Sequence, residues 1–218
     1  VPDMVHFHSV GFQLIYCYKG WVDLVYEDQG PPFRLEAGNC VIQPPEIRHR
    51  VLFASEDLEV IEIGVPAEHI TTLDHNMELP TEHMRPDRLF AGQKFVHYKG
   101  NETEWRPFRL PGFVARDTMI CANTGAVAGV QVVKPAPGAP VWARHTSDIH
   151  FTFVLHGQLT LQSKEQAAQT LVAGDAFVIP PNMACLYSAA SEDLELLEVS
   201  LPGEFETHFE DGAQEDRA

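Results

Sequence analysis

Two histidines near the start of the chain are separated by a single residue. His6 and His8 precede Gln13 and an apolar, aromatic run that ends at Gly20. Residues i and i+2 of a β-strand project to the same face, so a strand here would present both imidazoles together. Two imidazoles on one face can begin a site for a divalent metal ion. A lone H-x-H pair is also compatible with structural histidines, so the elements that would position further ligands decide between these interpretations.

The segments around the histidines predict an all-β fold. They are short, rich in Val, Ile, Leu, Phe and Tyr, and separated by Gly, Pro, Asp and Ser at intervals of roughly 8–12 residues. On the first long strand, Gln13, Ile15 and Cys17 share one face. Leu14 and Tyr16 occupy the other face. Because no segment shows a long period of 3.6 residues, we expect an antiparallel sandwich or barrel.

The chain contains two copies of one domain. The segment "SEDLEVIEIGVPAE" from Ser55 returns as "SEDLELLEVSLPGE" from Ser191, an offset of 136 residues. The first strands match with one extra residue, which aligns His145 with His8. We therefore predict an N-terminal domain over residues 1–73, a linker or crossover segment over 74–107, a C-terminal domain over 108–203 and an acidic tail over 204–218.

The second copy has additional strands, at about residues 108–133, ahead of its first motif. Only five residues precede His6 in the first copy. Either the equivalent strands are absent, or residues 89–105 cross over to complete the first barrel. An uncovered sheet edge would otherwise favour aggregation.

The first copy resembles the cupin superfamily at its first motif, G-x5-H-x-H-x3–4-E-x6-G. The chain reads His6, one residue, His8, four residues, Gln13, six residues and then Gly20. Gln13 stands where the motif has glutamate. The resemblance implies that the two histidines and the residue at position 13 share a metal ion.

The second cupin motif, G-x5-P-x-G-x2-H-x3-N, is matched by Gly38, Pro44 and His49. Glu46 replaces its second glycine, and Phe53 replaces its asparagine. The resemblance covers nearly the whole chain as a tandem, or bicupin, arrangement. It implies two cupin jelly-roll barrels, also called double-stranded β-helices.

The ligand set implied by the resemblance consists of three neutral imidazoles and an amide oxygen, from His6, His8, Gln13 and His49. Such a set would hold one divalent transition metal ion per chain, namely Fe, Ni, Mn, Co or Zn, and would leave one or two coordination positions open. Since no ligand is an anion, the ion would keep its double charge. The expected walls of the substrate pocket are Phe12, Ile15, Cys17 and Arg48, of which Arg48 could clamp an anionic substrate.

The second copy has lost part of this ligand set. Ala143 aligns with His6, His150 with Gln13, and Cys185 with His49. A second site of His145, His150 and Cys185 could bind zinc or iron. The alternative, which we favour, is a degenerate pocket that serves packing.

The composition of the chain limits the kinds of partner that it can bind. The formal net charge of −16 opposes binding to nucleic acid, and no stretch approaches the roughly 18 apolar residues of a membrane helix. Four scattered cysteines without a C-x-x-C pair suit a reducing compartment, so we expect a cytoplasmic protein. The expected partner is a small-molecule substrate. A homodimer formed through sheet edges is compatible with such a fold.

Three functions are compatible with the motifs. A metal-dependent dioxygenase would take a chelating, anionic and apolar substrate, and we place it first. A non-redox isomerase or lyase would use the ion as a Lewis acid on a carbonyl or sugar-acid substrate, and the glutamine favours this alternative. A non-catalytic module that binds a small ligand or a metal is the third. The sequence identifies no secure general base.

Overall fold

The strands of the chain form two separate sets of antiparallel sheets. The structure, a computed structural model, describes residues 4–210. Residues up to Glu102, together with Ala122–Gly125, form the first unit. Thr103–Cys121 and the residues from Ala126 onward form the second. Regular helix within the described chain is limited to α1 (Ile120–Asn123) and a single 3-10 turn, and none of it has the length and apolar character needed to cross a membrane.

The first unit pairs a five-stranded sheet, ordered β4-β3-β6-β1-β8, with a four-stranded sheet, ordered β11-β5-β2-β7, and a two-stranded ribbon of β9 and β10. The strands are β1 (His6–His8), β2 (Phe12–Lys19), β3 (Trp21–Tyr26), β4 (Phe33–Glu36), β5 (Cys40–Ile42), β6 (His49–Ala54), β7 (Glu59–Val65), β8 (Thr71–Leu73), β9 (Leu89–Phe90), β10 (Gln93–Lys94) and β11 (Val96–Tyr98).

The second unit repeats this arrangement with a five-stranded sheet, ordered β18-β17-β20-β15-β22, and a six-stranded sheet, ordered β12-β13-β14-β21-β16-β19. The strands are β12 (Arg106–Pro107), β13 (Phe113–Asp117), β14 (Gly129–Pro135), β15 (Ala143–His145), β16 (Ile149–His156), β17 (Gln158–Ser163), β18 (Gln169–Val172), β19 (Ala176–Val178), β20 (Cys185–Ser188), β21 (Glu195–Leu201) and β22 (Thr207–Phe209).

Strands β1 to β8 correspond one for one to β15 to β22, in the same order within the sheets. The prediction of two tandem cupin jelly-roll barrels is therefore confirmed. The same glycine stands after the first long strand in both units, and its backbone conformation explains why. Gly20 and Gly157 have φ values of +67° and +69°. A Cβ at either position would lie within 2.4 Å of a serine Oγ, so a side chain would have to displace the turn that follows the first long strand.

The two units differ at one edge of the sheet that contains the first long strand. In the second unit, β21 is flanked by β16 and β14. In the first unit, β7 pairs with β2 on one side, and within the described residues no strand covers its other side. Strand β7 is consequently more exposed than β21 along most of its length.

Residues predicted as linker and tail also form strands. Within residues 74–107, β11 pairs with β5 and so extends the first unit, whereas β12 pairs with β13 in the second unit. Within residues 204–218, β22 pairs with β15 over three residues. Residues 211–218 of the predicted acidic tail lie outside the described residues.

Candidate metal centre

Three histidines converge inside the first barrel. His6 and His8 lie on the same face of β1, and the antiparallel register pairs His6 directly with His49 at the start of β6. The ring centroid of His6 is 4.2 Å from that of His49, and the ring of His8 is 5.2 Å from His49. One ring nitrogen from each histidine lies within 4.8 Å of the other two. Within residues 4–210 this is the only such cluster of His, Cys, Asp and Glu side chains.

Each imidazole is oriented by a hydrogen bond at Nδ1. The Nδ1–H of His6 donates to the carbonyl of Met4 (2.9 Å), and that of His49 donates to the carbonyl of Ile47 (3.0 Å). A carbonyl can only accept, so these two tautomers are fixed with the lone pair on Nε2. In the same tautomer, His8 donates from Nδ1 to Oγ1 of Thr71 at 3.0 Å. The three Nε2 atoms are therefore the nitrogens that can ligate a metal ion.

Burial keeps His8 and His49 neutral. Desolvation, reinforced by the neighbouring His6 and His8, lowers the pKa of His49 to about 3. Desolvation also lowers the pKa of His8 to about 4, with further contributions from His6 and His69 and an opposing one from Glu62. At neutral pH both rings are uncharged, which is the form that binds a metal ion.

Gln13 provides a fourth donor atom whose orientation is set by Glu62. The amide Nε2–H of Gln13 donates to Oε1 of Glu62 at 2.7 Å. The other end of the amide, Oε1, is buried and has no hydrogen-bond partner within the described residues. A buried oxygen without a partner is costly, and a cation would satisfy it. The three Nε2 lone pairs and this oxygen fit a borderline divalent metal ion.

The four residues lie at the wall of a cavity of about 460 Å³ in the first unit. Apolar side chains form most of its surface, among them Ile15, Val22, Leu24, Val51, Leu58 and Val60. Its polar groups besides the four are Tyr26, Gln43, Glu62 and Thr71. The Nε2–H of Gln43 donates to the Tyr26 hydroxyl at 2.8 Å, and burial raises the pKa of Tyr26 so that it stays protonated.

Of the four residues predicted to line the pocket, Ile15 does so. Cys17 shares the face of Ile15 but packs deeper, in the apolar core. Phe12 projects from the opposite face of β2 and is fully buried there. Arg48 lies outside the cavity: its guanidinium is 4.2 Å from the ring centre of Phe7, and its Nε donates to Asp74 at 3.3 Å.

The turn before His49 lies between β5 and β6 and is hydrogen-bonded to the end of β1. Glu46, which replaces the motif's second glycine, has a φ of +62°, and its amide donates to the carbonyl of His8 at 3.1 Å. Asn182 has the same conformation in the second unit and donates to the carbonyl of His145. A side chain in this left-handed region costs about 1–2 kcal/mol, which the motif's glycine would avoid.

The predicted second site is arranged differently. The ring of His145 lies 4.3 Å from that of His150, but its Nε2–H donates to the carbonyl of Ile179 at 3.0 Å. Cys185 is buried in the apolar core of this unit, and burial raises its pKa to about 11. The thiol is therefore protonated at neutral pH. These three residues form no cluster of metal-binding atoms within the described chain.

A partly buried arginine contacts two of the buried polar residues of the second barrel. The Nη2 of Arg109 lies 2.8 Å from Nε2 of His150 and 2.7 Å from Oε2 of Glu198. Glu198 and His150 are the counterparts of Glu62 and Gln13. Burial opposes ionisation of Glu198, but Arg109 and His150 outweigh it and hold its pKa at about 2. The guanidinium thus provides the positive charge beside this carboxylate.

Sequence reasoning missed Glu62, Glu198 and Arg109. The two glutamates stand at the eighth position of the repeated segments that begin at Ser55 and Ser191, which was an available signal. Arg109 precedes the aligned segments, so the repeat could not reveal it. His69, which has no motif context, lies with its ring 5.1 Å from that of His8.

Comparison with known proteins agrees with this description. Residues 129–200 match the family profile of the cupin domain. No protein with a curated description matches the chain.

Solved structures with the same fold include salicylate 1,2-dioxygenase from Pseudaminobacter salicylatoxidans, with a TM-score of 0.70 at 15% identity over 95% of this chain and 71% of that one. A variant of that enzyme in complex with gentisate gives a TM-score of 0.69 at 16% identity, over 95% and 69% of the two chains. A deletion mutant of Bacillus subtilis oxalate decarboxylase gives 0.65 at 15% identity, over 95% and 67%.

The two units are thus β-barrels of the jelly-roll class, the first of which carries a histidine cluster suited to a metal ion. Residues 129–200 match the cupin domain family, and the chain as a whole has the two-barrel cupin fold that the motifs predicted.

The equivalent positions 49 and 185 should differ in their effect on metal content. His49→Ala removes one of three imidazole ligands, so we expect the purified variant to lose most of its bound divalent metal. Cys185→Ala should retain the wild-type content of about one ion per chain, an expectation that follows from the single ligand cluster. Elemental analysis after metal loading measures both. Equal loss in the two variants, or an unloaded wild type, would contradict the assignment.

The hydrogen bond at His8 should affect metal affinity. Thr71→Val removes the acceptor for Nδ1 while keeping the side-chain shape, and loss of such an outer partner weakens metal binding about 10- to 100-fold. Thr72→Val is the matched control, because Thr72 pairs with Phe7 and not with a ligand. Competition with a chelator for Co²⁺ gives the dissociation constants. Equal affinities for the two variants would show that this hydrogen bond does not orient the ligand.

Arg109→Met should destabilise the second barrel by about 3–5 kcal/mol at pH 7, because it leaves the buried Glu198 carboxylate without a cation. The ordinary pKa of this group is 4.5. Wild-type Glu198 stabilises the fold above that pH and loses this contribution as the pH falls toward 2. In the variant burial raises the pKa, so acidification neutralises the carboxylate and relieves the penalty. Urea unfolding at several pH values measures the difference, which should shrink toward low pH.

The control for Arg109 is Arg34→Met, which breaks the solvent-exposed pair with Asp23. We expect it to change the free energy of unfolding by about 0–1 kcal/mol. A similar small effect at Arg109 would show that its ion pair is not needed in the interior.

Proposed function

We propose that the chain is a metal-dependent dioxygenase that acts on a small, largely apolar molecule able to chelate the ion as an anion. The observation that carries this proposal is the neutral donor set of three Nε2 atoms and the Gln13 amide oxygen at the wall of an apolar cavity. The similar folds of a salicylate dioxygenase and of its variant in complex with gentisate support it.

The donor set favours an anionic, bidentate substrate. His6, His8, His49 and Gln13 would hold a divalent ion, which we propose to be Fe, Ni, Mn, Co or Zn at about one per chain. None of these donors offsets the charge of the ion, so a catecholate or an enolate would do so. When bound, the ion would supply Lewis acidity and, for a redox-active metal, electron transfer to and from the substrate.

The remaining side chains would position the substrate and exclude water. The apolar wall of Ile15, Val51 and Val60 fits an aromatic ring and disfavours a strongly hydrated one. The Tyr26 hydroxyl accepts a hydrogen bond from Gln43, which leaves its own O–H to donate into the cavity. Tyr26 also stacks on His49, with ring centroids 5.4 Å apart, and so restrains that ligand.

A non-redox isomerase or lyase is the second candidate. Such an enzyme needs a side chain that moves a proton, and among the described residues Glu62 is the only carboxylate on the wall of this cavity. Gln13 holds one of its oxygens at 2.7 Å, beside the ligand cluster.

Oxygen uptake separates these functions. The iron-loaded protein is incubated with catechol, gentisate, salicylate, a β-diketone and an unsaturated uronate while oxygen and product are recorded. We expect oxygen consumption equal to product formed with an aromatic or enolic substrate, abolished in His49→Ala and retained in Cys185→Ala. Product without oxygen consumption would replace the dioxygenase with the isomerase or lyase. Tight binding without turnover of any compound would indicate a binding module.

A further inference from the structure

A second cavity, of about 310 Å³, lies within the second unit. Part of its wall is a polar row across three neighbouring strands. Asp117 of β13 pairs with Gln131 of β14, and Gln131 pairs with Glu198 of β21. Directly paired residues of adjacent strands project to the same face of a sheet. A carboxylate, an amide and a second carboxylate therefore stand side by side on this wall.

The polar row continues two residues along the strands. Ser200 of β21 pairs with Gly129 of β14, and both line the cavity. A Cβ at Gly129 would lie 2.8 Å from the Ser200 Oγ, so the absence of a side chain there leaves room for that hydroxyl. The wall thus adds a hydroxyl group, which can both donate and accept, to the amide and the carboxylates.

Charge is balanced at the inner end of this cavity, beside Glu198, whereas Asp117 adds a carboxylate at the outer end. The Arg109 guanidinium donates to both oxygens of Glu198, at 3.4 Å from Nε and 2.7 Å from Nη2. Arg109 also lies 4.9 Å from the ring centre of Phe108 and 5.4 Å from that of Phe205, and both rings line the cavity. The inner end of the row therefore combines a neutralised ion pair with two aromatic rings. A further cation is disfavoured at this inner end, since the guanidinium already stands beside the Glu198 carboxylate.

We propose that this cavity binds a small, neutral, polyhydroxylated molecule of the size of a monosaccharide. Gln131, Ser200 and the outer carboxylate of Asp117 would exchange hydrogen bonds with its hydroxyl groups. The parts of the Phe108 and Phe205 rings that line the cavity would contact its C–H groups, as aromatic rings do with apolar surface. The volume lies at the lower end of the range for small-molecule sites. The ligand binds independently of any metal in the first barrel.

The test uses the full chain and the neutral probes D-glucose, D-galactose and myo-inositol. Glucosamine serves as the cationic probe, and gluconate as the anionic probe. Ligand-observed saturation-transfer NMR titrations give the affinities. We expect saturable binding of at least one neutral probe. Gln131→Met removes the central amide at similar volume, and loss of its hydrogen bonds should weaken that binding about 10-fold.

Two controls locate the site. Gln169→Met changes an exposed glutamine of β18 in the same unit and should leave the affinity unchanged. His49→Ala should also bind the neutral probe as the wild type does, which separates this cavity from the ligand cluster of the first barrel. Absence of saturable binding of all three neutral probes would overturn the proposal. So would equal affinities in Gln131→Met and the wild type, or binding restricted to glucosamine or gluconate.

Discussion

In each barrel, a buried polar side chain of the first long strand lies beside a glutamate of a neighbouring strand. The two barrels differ in whether the protein itself provides a cation next to that glutamate. In the second barrel His150 and Glu198 meet the guanidinium of Arg109 at 2.7–2.8 Å. In the first barrel Gln13 and Glu62 are joined at 2.7 Å, and the remaining amide oxygen faces no protein donor in the described chain. The same architecture thus supplies its own positive charge in the second barrel and leaves an unpartnered oxygen that a cation would satisfy in the first.

One atom of the ligand cluster opposes folding while it has no partner. The amide oxygen of Gln13 is buried and unsatisfied within the described residues, and such a group costs about 1–3 kcal/mol. The Nδ1 atoms of His6 and His49 carry no such cost, because they donate to the carbonyls of Met4 and Ile47. A ligand that binds only the folded state adds stability by mass action, so a metal ion bound by the cluster would stabilise the first barrel.

Most of the fold, and the core of the site, could be predicted from the sequence because both rest on local rules. Alternation along a strand placed His6 and His8 on one face, and the 136-residue offset predicted the corresponding strands of the two barrels. Long-range packing was not accessible in this way. Arg109 has no aligned counterpart, and only the three-dimensional structure brings it to Glu198. Phe12 was assigned to the pocket for its aromatic type, although the same alternation places it opposite Gln13.

The paired glutamates show how sheet edges affect function. Glu198 is 6% exposed because β14 covers its strand, and a carboxylate at that depth needs the permanent partner that Arg109 provides. Glu62 lies on β7, whose outer side is uncovered within the described residues, so water can solvate it and no buried cation is required. Its oxygens are consequently available to Gln13 and to whatever enters the cavity. One additional strand thus separates a glutamate that pairs with an arginine from one that orients the amide of Gln13.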